Sequence, residues 1–182
     1  MSKVIIFQGS PKKKGTTAAL LAEVAKGAQA AGAEIVEYDL NNKELRGCQG
    51  CMSCRKPENT ACVQNDYLKP MYDDLKDADA IVLGSPIYMG TVTAQAWTLV
   101  QRLYPAMGPD FAPRYPGKKF VTVTTQGSPN TAEYMPAVAS IHGFLGNLGW
   151  TLVDHIAWGG AGGEAPEDLK QAAFAAGQKL VS

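Results

Sequence analysis

Four cysteines crowd into fifteen residues, and the chain has no others: Cys48, Cys51, Cys54 and Cys62, in the run GCQGCMSCRKPENTAC. The spacing is C-x2-C-x2-C-x7-C. Three thiols at intervals of three can converge on one small body if the loop curls round it. An iron–sulfur cluster is such a body, and thiolates hold it as a Cys₄ set. Gly47 and Gly50 let the backbone pass close by, where a Cβ would crowd it. Pro57 and Asn59 suit the turn that returns to Cys62. Three readings compete. Structural zinc usually takes two C-x2-C knuckles with a longer stretch between them, whereas here the third cysteine follows after only two residues. Cys48/Cys51 and Cys51/Cys54 each read C-x-x-C, but neither opens a helix of a thioredoxin-like unit. The last reading is a loop of idle or regulatory thiols.

A second group of residues points to an anion. Gly9-Ser-Pro-Lys-Lys-Lys-Gly15-Thr-Thr17 follows an apolar run and precedes a helical pattern. Such a loop presents free N–H groups and the positive end of a helix dipole. Ser10, Thr16 and Thr17 add hydroxyls, and Lys12 adds charge. The loop lacks the Walker A pattern, because five residues separate its glycines and no lysine follows the second. The G-x-G-x-x-G fingerprint is absent from this turn too. The plain alternative is an ordinary connection with Thr16 as an N-cap.

Two further loops complete the set. Gly84-Ser-Pro-Ile-Tyr-Met-Gly90 offers apolar and aromatic surface for a planar ring. Thr124-Thr-Gln-Gly-Ser-Pro-Asn130 is polar, with Gln126 and Asn130 as candidate partners of ring or ribityl atoms. Other chemistry is poorly represented. His142 reads as a packed or partly exposed helix residue and His155 as structural. No G-x-S-x-G elbow occurs. Asp73, Asp74, Asp77 and Asp79 read as a solvated helix end. Trp158–Gly163 reads as a connection, with a lid as the alternative, and Trp97 as core or subunit packing.

The elements that must position these loops alternate. Strands are predicted at Lys3–Gln8, Glu34–Tyr38, Ala80–Leu83, Phe120–Thr124 and Thr151–Ala157. Helices are predicted at Thr16–Ala31, Tyr67–Lys76, Thr93–Tyr104, Thr131–Leu148 and Pro166–Leu180. The cysteine segment, about 47–66, is a loop, and Pro105–Gly117 is a surface loop. Alternating strands and helices specify parallel pairing through right-handed crossovers. Strands without polar alternation suit a sheet covered on both faces. The expectation is an α/β fold with a flavodoxin-like, doubly wound five-stranded parallel sheet in the order 2-1-3-4-5. All three loops then fall on the carboxyl edge of that sheet.

The 182 residues suit a single domain over 1–182, and 46% hydrophobic content allows a substantial core. Seventeen basic and seventeen acidic residues cancel, so no global field recruits nucleic acid or an anionic membrane. No signal peptide pattern opens the chain and no run approaches about eighteen apolar residues. The expectation is therefore a cytoplasmic protein with reduced thiols.

GSPKKKGTT, GSPIYMG and TTQGSPN together resemble the flavodoxin-like NADPH-dependent FMN reductase superfamily. With GCQGCMSCRKPENTAC between the second strand and second helix, the chain resembles that superfamily's iron–sulfur flavoprotein branch. The resemblance covers nearly the whole chain, most strongly residues 4–128. It implies FMN, with its phosphate on Ser10, Lys12, Thr16 and Thr17. It places the ring on Pro86, Ile87, Tyr88, Met89 and Gly90, closed by Thr125, Gln126 and Gly127. It also implies a [4Fe–4S] cluster on the four cysteines. No side chain serves as a nucleophile. The implied activity is electron transfer from a ferredoxin-like donor or NAD(P)H to a small acceptor, in a homodimer or homotetramer. The alternative is a cluster-free NAD(P)H-dependent FMN, quinone or azo reductase. The chain departs from the family in carrying Lys12 where Arg is common and Thr16 where Asn is common. Lysine is a point charge rather than a bidentate fork, yet both residues keep a donor.

Overall fold

The structure is a computed structural model that describes residues 1–160 and 163–182. Strand β1 (Lys3–Gln8) buries all four of its central residues, Val4 to Phe7. This is what a strand sandwiched between helical layers requires. It pairs in parallel with β2 (Glu34–Asp39) on one side and β3 (Ala80–Tyr88) on the other. A short β4 (Thr91–Val92) folds back antiparallel on the end of β3. Strand β5 (Lys119–Gln126) continues the parallel ladder from β3, and β6 (Thr151–Gly159) forms the far edge. The order β2-β1-β3-β5-β6 is the expected doubly wound arrangement, with β4 as an addition.

Successive strand residues face opposite layers. Val4, Ile6, Val82, Val121 and Val123 pack against α1 (Thr16–Ala30) and α5 (Glu167–Val181). Ile5, Phe7, Ile81 and Phe120 pack against α2 (Met71–Asp77), α3 (Ala94–Arg102) and α4 (Met135–Asn147). On the first face, α1 and α5 touch backbone to backbone. A Cβ added at Gly27 would lie 1.9 Å from the Phe174 carbonyl oxygen, and one at Gly177 would lie 2.0 Å from that of Val24. Glycine costs about 1 kcal/mol inside a helix; here it permits the closest approach of two helices.

Three boundaries differ from the sequence expectation. Strand β3 does not stop at Leu83, because its ladder with β5 runs on to Pro86 opposite Thr125 and β4 then holds Ile87 and Tyr88. Helix α2 starts at Met71 rather than Tyr67, with Pro70 as its N-cap. The segment expected as one helix from Thr131 begins as a 3₁₀ turn, Thr131–Tyr134, before α4. Of the acidic run, Asp73, Asp77 and Asp79 are exposed, as expected of a solvated helix end, and only Asp74 is half-buried. Asp74 accepts from Lys3 Nζ at 2.9 Å and from the Tyr38 hydroxyl at 2.6 Å, and Asp79 accepts from the Lys3 N–H at 2.9 Å.

Two polar networks sit within the α2–α4 layer. Arg102, at the end of α3, is 1% exposed, and its partner Asp66 is fully buried. Its Nη2 donates to Asp66 Oδ1 at 3.1 Å, its Nη1 to Asp66 Oδ2 and to the Arg46 carbonyl at 2.8 Å, and its Nε to the Tyr72 hydroxyl at 3.2 Å. Burial pushes the Asp66 carboxyl up, but donation from Arg102 and from the Arg46 and Leu68 N–H groups outweighs it and holds the carboxyl below its ordinary value. In the second network the Thr122 hydroxyl lies 2.8 Å from His142 Nε2 and 2.8 Å from His155 Nδ1, while His155 Nε2 lies 3.3 Å from Thr124 Oγ1. One hydroxyl proton serves two imidazoles, so one ring donates to Thr122 and the other accepts. Burial, then the neighbouring His142, pushes His155 down to about 4. Both histidines are structural, as the sequence suggested.

Asp66→Asn leaves the buried guanidinium without its counter-charge and should destabilise the protein by about 3–5 kcal/mol in urea unfolding; an unchanged midpoint would contradict the role given to the pair. His155 is neutral in the folded chain, whereas the unfolded chain binds a proton below its ordinary value of 6.5. Stability should therefore fall as pH drops from 6.5 toward about 4, by on the order of 1 kcal/mol per pH unit. The Asp66 contribution is lost only below the ordinary carboxylate value of 3.8. His155→Gln should reduce the slope in the first window to the part that His142, also pushed down by burial, contributes, and leave the second, measured by thermal melts across pH.

Candidate functional site

Two glycines bring the loops together at the carboxyl edge. The Gly9 N–H donates to the Gly84 carbonyl at 2.7 Å. A Cβ on Gly9 would sit 2.8 Å from that oxygen, and one on Gly84 would sit 2.4 Å from Leu21 Cδ1. The N-cap of α3, Thr93, fixes the same point by donating from Oγ1 to the Gly9 carbonyl at 2.8 Å. Beside this junction lies a cavity of about 540 Å³.

Ser10, Lys12, Thr16 and Thr17 line one part of the cavity. Gly15, not Thr16, is the N-cap of α1; it is extended and provides no side-chain cap, and no acidic residue occupies the first turn. The first-turn N–H groups and the positive end of the helix are therefore left to an external anion. The loop is already shaped. The Ser10 hydroxyl accepts from the Lys12 N–H at 3.1 Å, and the Ser10 N–H donates to Gln8 Oε1 at 3.0 Å. Thr17 is buried and its hydroxyl lies 2.7 Å from that of Thr125, which ties the first loop to β5.

Pro86, Ile87 and Tyr88 line the cavity from β3, and Thr125, Gln126 and Gly127 from β5. Met89 and Gly90 do not. They form the tip of the β3–β4 hairpin, both with positive φ (50° and 83°), and Met89 is fully exposed. Two central residues with positive φ are what a tight hairpin turn demands. The Gln126 amide is also occupied: Nε2 donates to the Ser128 and Asn130 carbonyls at 3.1 and 2.7 Å. It shapes the turn, and its remaining polar atom for a ligand is Oε1.

The fourth wall comes from the end of β6 and the chain beyond it. Trp158, Gly163, Glu164 and Lys170 line the cavity, and Thr16 Oγ1 donates to the Gly163 carbonyl at 3.0 Å. The segment expected as a plain connection is thus part of the site; Ala161 and Gly162 within it lie outside the described residues. Its one sequence signal is an indole beside a glycine-rich run at a strand's carboxyl end.

All four cysteines line a second cavity of about 450 Å³, whose walls include Trp97, Val100 and Phe144. It shares no lining residue with the first. Cys48 and Cys51 are exposed, and Cys54 and Cys62 half-buried. Burial, and then the nearby Cys62 and Cys48, pushes the Cys54 thiol up. Among the described residues no three His, Cys, Asp or Glu side chains are set to hold a metal ion. The loop is irregular apart from a 3₁₀ turn at Ser53–Arg55, entered through Met52 in the left-handed region (φ 59°). Arg102 and Asp66 fasten its two ends. Arg114, from the proline-rich loop, donates to the Cys54, Lys56 and Asn59 carbonyls at 3.3–3.4 Å. Arg55 stacks on Phe111, 3.8 Å from the ring centre. The stretch read as a plain surface loop is therefore the outer clamp of the cysteine segment.

A model of the NADPH-dependent FMN reductase family matches residues 2–164. An iron–sulfur flavoprotein of Methanocaldococcus jannaschii is 33% identical over 174 residues, 92% of this chain and 86% of that protein. One from Archaeoglobus fulgidus is 29% identical over 171 residues, 93% of this chain and 75% of that protein. Among solved structures, an NAD(P)H:quinone oxidoreductase from Methanothermobacter marburgensis superposes with a TM-score of 0.72 at 16% identity, covering 99% of this chain and 96% of the other. An azoreductase from Bacillus anthracis gives 0.69 at 18%, covering 100% and 99%. At such identities the superpositions speak for the fold. By sequence, the chain belongs to the NADPH-dependent FMN reductase family, on its iron–sulfur flavoprotein branch, and is a flavin-dependent oxidoreductase that uses FMN.

Proposed function

We propose that this protein passes electrons between a reduced donor, NAD(P)H or a ferredoxin-like protein, and a small acceptor, with FMN in the larger cavity and a [4Fe–4S] cluster on the cysteines. The observation that carries the FMN site is the uncapped, hydroxyl-flanked N-terminus of α1 opening into a cavity of about 540 Å³. Ser10, Lys12, Thr16, Thr17 and the first-turn N–H groups hold the phosphate. Pro86, Ile87 and Tyr88 carry the ring, and Thr125, Gln126 and Gly127 close it. Met89 and Gly90 take the rim above the ring, where a nicotinamide or acceptor would dock. The protein supplies position and electrostatics and the cofactor the chemistry, with FMN accepting electrons in pairs and releasing them singly, and a cluster passing them one at a time.

The cysteines fit the cluster in donor type. The cavity presents four thiols and no carboxylate or imidazole, which is a soft donor set. A cubane needs thiolates spread around a body larger than one ion, in keeping with a cavity of about 450 Å³. Guanidinium groups and side-chain amides brace the loop. Cytoplasmic residence and assembly as a homodimer or homotetramer belong to this reading. The second reading is a cluster-free NAD(P)H-dependent FMN, quinone or azo reductase. It is favoured by the exposure of Cys48 and Cys51 and by the absence, among the described residues, of a ready ion site. Iron and labile-sulfide analysis of protein purified without oxygen separates the two: flavin with no iron after reconstitution leaves the second.

Lys12→Ala should weaken FMN by roughly ten- to a hundred-fold, the value of one hydrogen bond to a charged group, and riboflavin far less. Equal losses in fluorescence titrations would remove Lys12 from the phosphate. Cys54→Ser should abolish iron binding and leave FMN bound at full stoichiometry; loss of FMN from a folded variant would show that the two cavities depend on each other.

A further inference from the structure

Gln64 stands two residues beyond the last cysteine, and its amide reaches back across the loop. Nε2 donates to the Gly47 carbonyl at 3.1 Å and to the Cys62 sulfur at 3.8 Å. The Gly47 oxygen fixes which end of the amide faces inward, since the flipped side chain would set oxygen against oxygen. The N–H edge is thereby held toward a thiol that lines the cysteine cavity. Gln101 makes the complementary tie at the other end, where its Oε1 accepts from the Cys48 N–H at 3.4 Å. Both amides brace the loop, but only Gln64 presents a proton to a sulfur.

We propose that Gln64 sets the reduction potential of the cysteine centre, a role that rests on the cluster reading above. A hydrogen bond from a neutral amide stabilises a sulfur more as that sulfur gains negative charge. One-electron reduction places added charge on the irons and their sulfur ligands. The Gln64 donor therefore favours the reduced form and raises the potential, as hydrogen bonds to cluster sulfurs do generally. Because the same amide is anchored on Gly47, beside the first cysteine ligand, its direction is fixed before any metal enters. Gln64 is thus a positioning residue that acts through Cys62.

The test uses the full chain, loaded anaerobically with iron and sulfide, in four forms: unaltered, Gln64→Leu, Gln64→Glu and Gln101→Leu. Iron content, FMN content and the midpoint potential from dithionite titration followed by electron paramagnetic resonance are measured for each. Gln64→Leu keeps the side chain's reach but removes the donor, and should bind iron in full with a lower midpoint potential. Gln64→Glu, which sets a carboxylate near the sulfur, should lower it further. Gln101→Leu loosens the brace without removing a donor to sulfur and should leave the potential in place. Full iron in Gln64→Leu with an unshifted potential overturns the proposal. So does loss of iron from a Gln64 variant that stays folded and retains FMN, because that makes Gln64 a brace only. If the unaltered chain takes up no iron, the cluster reading itself falls and this role with it, an outcome distinct from either.

Discussion

A guanidinium withdrawn from water must be paired on nearly every donor, and Arg102 meets that requirement by collecting four segments of the chain. Its fork holds Asp66 and the Arg46 carbonyl, which flank the cysteine segment, while its Nε reaches Tyr72 on α2 and its own backbone ends α3. A salt bridge this deeply buried adds little net stability compared with an apolar pair of the same volume. Its effect is to forbid alternatives, because any arrangement that frees one partner strands a charge. A loop of some twenty residues without regular structure is thereby pinned at its base, and Arg114 and Gln64 need only shape what lies between.

The candidate FMN site depends on a different kind of constraint. Parallel strands deliver their carboxyl ends to one edge, and the chain reverses its winding between β1 and β3. Gly9 lets the chain leaving β1 sit against the Gly84 carbonyl of β3, and Gly84 in turn leaves room for Leu21 of α1. The loops that leave this point are largely self-supporting: Ser10 with Lys12, Thr17 with Thr125, Gln126 with the 127–130 turn. A site built in this way has its donors oriented before the ligand arrives, so little binding free energy is spent on ordering it. The two cavities share no lining residue.

Much of this arrangement was legible in the residues. The strands were found because each is a short apolar run, which a sheet covered on both faces requires. That Ser10, Lys12, Thr16 and Thr17 would gather along one cavity was legible because they stand together in the loop between a strand and a helix N-terminus. What escaped notice has a common cause. Strand β3 outran its apolar run because backbone pairing with β5 and β4 does not depend on side-chain pattern. Met89 was placed on the ring but lies at a hairpin tip, since the turn was invisible until β4 was. Gln126 lines the cavity as expected, but its Nε2 is spent on its own loop, which leaves only Oε1 toward the cavity's contents. Trp158 joined the site because β6 runs on past its apolar stretch to Gly159, and Lys170 because α5 packs against α1.

The sequence by itself determined the alternation of elements, the order of the sheet and the chemistry on offer, because periodicity and residue type are local properties that each segment carries alone. It determined the four thiols and their spacing. The tertiary structure decided which of those groups share a cavity and which side chains are already spent on one another. It also decided that the thiols face an apolar wall of α3 and α4, with Gln64 turned inward beside Cys62 and Arg102 locked behind. Those are facts about residues tens of positions apart, and only the closing of the sheet and the pairing of one buried charge bring them within reach.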